Sequence, residues 1–330
     1  MKKSSKNLIL GTGFLMGAAA VAAGVSSLIT HTLVNESLNR VEPKPFAGMK
    51  NLFMGEALKS PEVIEAMKKG EELARKDLET VEITAYDGIK LIGHICRAEN
   101  QKRVLIAMHG WRSTWYNDFA AISDFWHNNG CTVLYVEQRA QGESDGEYMG
   151  FGLIERFDCL EWIKYLNANG FSDVPMYLVG ISMGASSVLM TSGFDDLPEN
   201  ICGIISDCAF VSPYAIWKNI VEKNMKLFYR PLEREVDILC RRRLALTADG
   251  YSTTEALQKN TIPVMFIHGD SDGFVPVEMT YENYNACTAP KRMLIVKGAD
   301  HGMSYLKAKD VYEQNVLDFW AKHDKKVSKD

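Results

Sequence analysis

The chain has 330 residues, 46% of them hydrophobic and 24% charged, enough apolar material for one large domain or two small ones. A net charge of −5 without a long basic block argues against nucleic acid as the main partner. The seven cysteines (Cys96, Cys131, Cys159, Cys202, Cys208, Cys240 and Cys287) form no C-x-x-C pair and mostly lie in apolar runs. They read as buried reduced thiols, and no Cys/His cluster points to a metal site.

Lys2, Lys3 and Lys6 precede an uncharged stretch whose core, Leu8 to Ile29, is long enough to cross a bilayer, although Ala, Gly, Ser and Thr keep it only weakly hydrophobic. Residues 1–30 therefore read as a retained signal anchor or as a cleaved signal peptide. The apolar continuation through Leu28, Ile29, Leu33 and Val34 favours the anchor; the small residues Ala20-Val21-Ala22 fit a cleavage site. Lysines on the N-terminal side put the N-terminus in the cytoplasm and the rest of the chain outside. Seven cysteines fit an oxidising compartment poorly. Residues 31–78 read as a connector. Pro43 and Pro45 interrupt any continuing helix, and Pro61 stands near the first turn of a short charged helix reaching about Asp77.

From residue 79 onward one domain is expected. Val81–Ala85, the Asp87-Gly88 turn and Lys90–Cys96 predict a β-hairpin. Short, nearly continuous apolar runs then alternate with helical patterns: Val104–Met108, Thr132–Val136, Met176–Val179, Ile201–Ser206, Val264–Ile267 and Met293–Val296. Such runs fit parallel strands buried on both faces. Phe119, Ile122 and Trp126 mark one amphipathic helix, and Phe157, Leu160, Ile163 and Leu166 another. Tyr312, Val316, Phe319 and Trp320 mark the last, with Asp310 as its cap. The pattern predicts an α/β fold, a mostly parallel doubly wound sheet with an antiparallel N-terminal hairpin.

Residues 212–258 exceed a simple crossover helix and read as a small helical lid over the carboxyl ends of the strands, where open α/β sheets bind ligands. Trp217, Ile220, Val221 and Phe228 share one helical face, and Trp217 and Phe228 are candidate substrate contacts on its apolar underside. Arg241-Arg242-Arg243 reads as a solvated helix end.

The chemistry centres on Val179-Gly180-Ile181-Ser182-Met183-Gly184-Ala185, where an apolar strand runs through a Gly-x-Ser-x-Gly turn into a small-residue helix. Side chains at the glycine positions would crowd so sharp a turn, which lifts a serine hydroxyl clear of the sheet at a helix N-terminus. Serine needs a base, and the base needs an orienting group. His301 follows the Met293–Val296 strand and Asp272 follows the Val264–Ile267 strand, so both belong at the same sheet edge as Ser182. Asp270 sits too close to its strand end, and Asp300, adjacent to His301, is poorly placed to face the imidazole. Oxyanion donors are expected from the backbone N–H groups of Met183, just after the nucleophile, and of Trp111, in Met108-His109-Gly110-Trp111 after the third strand.

With the order Ser182, Asp272, His301, residues 80–322 resemble the α/β-hydrolase superfamily, in particular its bacterial serine esterase and serine aminopeptidase-like branch. The matching pieces are His109-Gly110-Trp111, Glu137-x-Arg139-x-x-Gly142-x-Ser144, Gly180-x-Ser182-x-Gly184, His268-Gly269-x-x-Asp272-x-x-Val275-Pro276 and Gly298-x-x-His301. In one motif Ala140 stands where the family usually has glycine, and Glu137 where it has aspartate. The resemblance implies a serine hydrolase that needs no cofactor. Tethering and an apolar lid point to short- or medium-chain or lipid-like esters, with the membrane as partner through the N-terminal segment. A serine aminopeptidase or amidase, and a catalytically silent binding protein, remain the alternatives; oligomeric state is not readable from the sequence.

Overall fold

The computed structural model describes residues 21, 23–41 and 60–324. Among these described residues, eight strands form one sheet in the order β1-β2-β4-β3-β5-β6-β7-β8. They are β1 Glu79–Thr84, β2 Lys90–Cys96, β3 Arg103–Met108, β4 Cys131–Glu137, β5 Met176–Ile181, β6 Ile201–Asp207, β7 Val264–Gly269 and β8 Lys291–Val296. The β1/β2 and β2/β4 pairs are antiparallel and every later pair is parallel, giving the α/β-hydrolase fold. Strands β3 to β7 are buried along their lengths apart from the half-buried Ile181 at the end of β5, which is why their sequences are apolar without alternation.

Two helical layers cover the sheet. On one face, helix α3 (Trp115–Asn128) and the C-terminal helix α11 (Lys309–His323) pack Phe119, Trp126, Phe319 and Trp320 against Tyr135 and Tyr177 of the strands. Helix α2 (Pro61–Ala74), capped by the Ser60 hydroxyl, lies outside α3, with Gly70 close against the Tyr116 carbonyl and Asn117. On the other face, α4 (Glu155–Leu166), α5 (Met183–Thr191), α8 (Thr253–Lys259) and α9 (Val277–Ala286) bury Trp162, Val188, Leu189 and Leu257 against alternate strand residues. Between β6 and β7 the expected helical insertion contains α6 (Pro213–Asn219), a widened turn at Ile220–Asn224 and α7 (Glu233–Leu244).

Three local expectations are corrected. Asp310 falls inside the first turn of α11, whose cap position is Ala308. Arg243 is half-buried rather than solvated: its guanidinium donates to the Val34 carbonyl at 3.3 Å, Asn39 Oδ1 at 3.0 Å and Asn35 Oδ1 at 2.5 Å. The boundary placed at residue 31 falls within one helix, α1 (residues 23–38). Its Leu33, Val34 and Leu38 are apolar because they are buried with Trp217, Tyr229, Leu232 and Val236 of the insertion, not because they prolong an anchor. Among the described residues no helix is long and apolar enough to cross a membrane. Most of the expected anchor, residues 8–20, lies outside the described residues, as do Pro43 and Pro45.

The loop after β4 is held by a buried ion-pair group. Arg139 donates to Asp158 Oδ2 at 2.6 Å and Oδ1 at 2.5 Å, and to Asp87 Oδ2 at 2.8 Å. Burial pushes the Asp158 carboxyl up to about 7 despite this partner. One residue on, Ala140 has φ of 58°, the left-handed backbone that explains the glycine usual at this position in the family. Gly142, at φ 55°, leaves room only for the Glu137 carboxylate. Arg139→Met strands a buried carboxylate and is expected to lower unfolding free energy by about 3–5 kcal/mol in urea titrations; a loss below about 1 kcal/mol would show the pair to be dispensable.

Candidate active site

Ser182 is the hinge between β5 and α5, with φ of 54° and ψ of −117°. That strained backbone is held by neighbours that over-determine it. The Ser182 N–H donates to the Asp207 carbonyl at 2.8 Å, tying the turn to the end of β6. A Cβ on Gly180 would overlap the backbone of Gly184 and Ala185, and one on Gly184 would overlap the Met108 carbonyl.

The three separate strand ends meet as the sequence predicts. His301 Nε2 lies 2.9 Å from Ser182 Oγ, and His301 Nδ1 lies 2.7 Å from Asp272 Oδ2. Ser182 and His301 are buried, and the Asp272 side chain is wholly so. Asp272 Oδ1 accepts the Phe274 and Val275 N–H groups, each at 2.8 Å. Burial alone would raise the Asp272 carboxyl; His301 and His268 outweigh it and hold it well below the ordinary carboxylate range. Burial would lower the His301 imidazole, but the Cys208 sulfur and the Asp272 carboxylate hold it above the ordinary histidine range. Asp270 is a turn residue, accepting the Gly298 N–H at 2.6 Å, and Asp300 caps the His301 and Gly273 N–H groups at 2.7 and 3.1 Å.

The Trp111 loop passes directly beside the serine. Gly110 packs against Ser182, and its N–H donates to Asp118 Oδ2 at 2.7 Å while the Ser113 hydroxyl donates to Asp118 Oδ1 at 2.5 Å. His109 is buried beneath, accepting the Gln138 N–H at Nε2. Met183 is the first residue of α5, so its N–H has no carbonyl one turn earlier to bond. The Trp111 loop thus lies beside Ser182, and Met183 begins the helix that follows it.

Two features escaped sequence reasoning. Buried His268 places Nε2 3.0 Å from Asp272 Oδ2 and Nδ1 2.6 Å from Thr280 Oγ1, so Asp272 is gripped by two imidazoles. Its only sequence signal was the His268-Gly269 pair preceding Asp272. The Trp111 loop is also clamped by the carboxyl end of α1. Trp111 Nε1 donates to the Ser37 carbonyl at 2.9 Å, and Arg112 donates to the Glu36 and Asn39 carbonyls at 2.9 and 2.6 Å. Arg112 adopts φ of 48° in doing so.

A cavity of about 390 Å³ opens beside Ser182 and His301, and it does not run beneath the 212–258 insertion. It extends between α2 and α3 toward the C-terminal helices α10 (Ser304–Lys307) and α11, lined by Val63, Ala66, Met67, Phe119, Ile122 and Tyr305 among others. Neither Trp217 nor Phe228 borders it. Trp217 is wholly buried against Phe151 in the core of the insertion, and Phe228 is 84% exposed. The shared helical face failed because α6 ends at Asn219 and the chain reverses at Lys226, with φ of 57°, before Phe228. Among the described residues, the donor atoms of Cys208, Asp272 and His301 lie within 4.8 Å of one another, close enough to share a cation. A cation there would remove His301 and Asp272 from the serine.

Comparison with known proteins bears on the family and the fold. The model of the Prolyl oligopeptidase family matches residues 117–326. The uncharacterized protein YqkD of Bacillus subtilis is 26% identical over 240 residues, covering 72% of this chain and 76% of that protein. The uncharacterized protein YfhR of Escherichia coli is 26% identical over 251 residues, covering 73% and 80%. Among solved structures, the Pyrococcus furiosus esterase Pf2001 superposes with a TM-score of 0.61 at 21% identity, covering 77% of this chain and 96% of that one. Est1E of Butyrivibrio proteoclasticus, solved with ferulic acid bound, superposes at 0.57 with 19% identity, covering 74% and 98%. At these identities the superpositions speak for the fold alone.

The arrangement makes a pH-dependent prediction. A general base must be neutral, and the His301 imidazole is held above its ordinary range, so activity should fall as pH drops through a midpoint above about 6.5. Asp272→Asn leaves the shape but reverses the hydrogen bond to Nδ1, and kcat should fall by about 10⁴-fold. A pH profile flat down to about 5, or an Asp272→Asn variant within about tenfold of wild type, would contradict this reading of the triad.

Proposed function

The chain belongs to the prolyl oligopeptidase family and is a hydrolase, and we propose that it cleaves carboxylic esters through an acyl-enzyme on Ser182. The observation that carries this reading is the unbroken relay from Ser182 Oγ through both nitrogens of His301 to Asp272. Ser182 Oγ attacks the acyl carbon as its proton passes to His301 Nε2. The carbonyl electrons move onto the oxygen, where the Trp111 and Met183 N–H groups stabilise the charge. Collapse expels the alkoxide, which takes the proton from His301. Water, deprotonated by the same nitrogen, then releases the acid and restores Ser182. Asp272 stays ionised throughout and stabilises the imidazolium.

The cavity supports an apolar acyl group. Its two carboxylates are already engaged: Asp118 by Gly110 and Ser113, and Asp207 by the Ser304 hydroxyl at 3.1 Å. Burial pushes Asp207 up to about 6. Most of the remaining lining is apolar, led by Val63, Ala66 and Met67 of α2 and Phe119 and Ile122 of α3. A peptidase or amidase reading rests on the family, but an aminopeptidase needs a free carboxylate for the substrate ammonium, which neither Asp118 nor Asp207 offers. The intact relay argues against a purely binding role. Tethering by the N-terminal apolar segment that begins at Leu8, with the hydrolase domain on the outer side of the membrane, belongs to the proposal on the strength of the sequence alone; protease accessibility in intact cells tests it, and full protection would refute an external domain.

A panel of p-nitrophenyl esters beside aminoacyl anilides should show esters turned over faster, with Ser182→Ala reducing kcat by about 10⁴-fold or more. Faster anilide turnover would reverse the substrate ranking, and an active Ser182→Ala would remove the mechanism. For the acyl pocket, Ala66→Trp should lower kcat/KM on octanoyl esters about tenfold while acetyl esters change by less than about twofold. Equal losses on both would place the acyl chain elsewhere.

A further inference from the structure

The insertion carries a charge segregation that hydrolysis does not use. Across residues 218–242, Lys218, Lys223, Lys226, Arg230, Arg234, Arg241 and Arg242 are all exposed. The acids of the same stretch turn toward the protein. Glu233 accepts the Tyr214 hydroxyl at 2.8 Å, Glu235 accepts the Ser27 hydroxyl at 2.6 Å and lies 3.3 Å from His31, and Asp237 accepts the Ala248 N–H at 3.4 Å. Glu222 is half-buried. On a chain with a net charge of −5, this surface is cationic.

Apolar side chains stand among these cations. Residues 223–228 form an unbroken exposed run, reversing at Lys226, and they present Met225, Leu227 and Phe228 to solvent. Single exposed hydrophobes are ordinary, but three within four residues, flanked by lysines, are the composition of a segment that sits at a lipid–water boundary. Helix α1 docks beside α7 through Ser27 and His31 on Glu235. Its Val25 and Leu28, and Val21 ahead of it, are exposed. The chain that leads into this helix is the uncharged apolar run beginning at Leu8. The apolar N-terminal chain thus enters the body beside the cationic, apolar-tipped insertion.

We infer that this face rests on an anionic bilayer, with the Met225–Phe228 turn at headgroup depth and the surrounding cations against lipid phosphates. The inference is independent of which bond Ser182 cleaves. It also gives the exposed Phe228 a role that the cavity does not.

The test uses the full chain, so that its N-terminal segment contributes equally in every arm. Partitioning is measured on phosphatidylcholine vesicles with and without phosphatidylglycerol. Wild type should bind the anionic vesicles at least about tenfold more tightly, with the difference shrinking as salt rises. Reversing Lys223, Lys226, Arg230 and Arg234 to Glu should abolish that preference and leave binding to neutral vesicles unchanged. Phe228→Ser should weaken binding to both vesicle types several-fold. Because all five positions are exposed, each variant should melt with wild type, and the single change Lys226→Glu should shift the preference in the same direction. No preference in wild type, or a preference that survives charge reversal, would overturn the inference. So would heparin binding as tight as anionic vesicles together with an inert Phe228→Ser, which would indicate a polyanion-binding face instead.

Discussion

The contact on which the site depends is one without side chains. At Gly184 the first turn of α5 lies against the Met108 and His109 carbonyls so closely that no Cβ fits. This approach sets the distance between the turn that carries Ser182 and the loop that carries Trp111. Gly180 permits the same compression from the strand side. The left-handed Ser182 is a consequence: a residue strained on its own is held because the backbone on either side of it has nowhere else to go. Alanine at Gly184 would force α5 away from the loop that carries Trp111, and alanine at Gly180 would force β5 away from the first turn of α5.

Around this fixed centre the electrostatics follow from burial. A carboxylate in a dry site is unfavourable unless donors surround it, and Asp272 has them from Phe274, Val275, His301 and His268. The resulting fixed charge holds the His301 imidazole in the orientation that aims Nε2 at Ser182. Asp118 plays the same part for the Trp111 loop, and Arg139 for the loop after β4. Each of these partners acts by restricting the loop or ring that it holds.

The core of the fold and the relay were legible because each rests on local pattern. Strands buried on both faces write themselves as apolar runs, and catalytic side chains in such folds follow the strand ends, so Ser182, Asp272 and His301 could be placed from order and position. The walls of the cavity were not legible. Val63, Ala66 and Met67 sit on a helix whose charged composition reads as a solvated face, yet that helix packs on α3 and closes the space beside Ser182. Residues 33–40 read as linker because nothing local in them shows that Ser37 and Glu36 will receive Trp111 and Arg112. Trp217 and Phe228 show the converse: amphipathic spacing reveals that a face exists, but the turn at Lys226 separates one residue into the core and the other into solvent.

The central claim is that Ser182 is a nucleophile activated by the folded relay, and trapping it is the direct measurement. Full-length protein treated with a fluorophosphonate and digested for mass spectrometry should carry one adduct, on the Ser182 peptide, and should carry none when unfolded in urea before treatment. Absence of an adduct on the folded protein, or an adduct on a residue other than Ser182, would contradict the account.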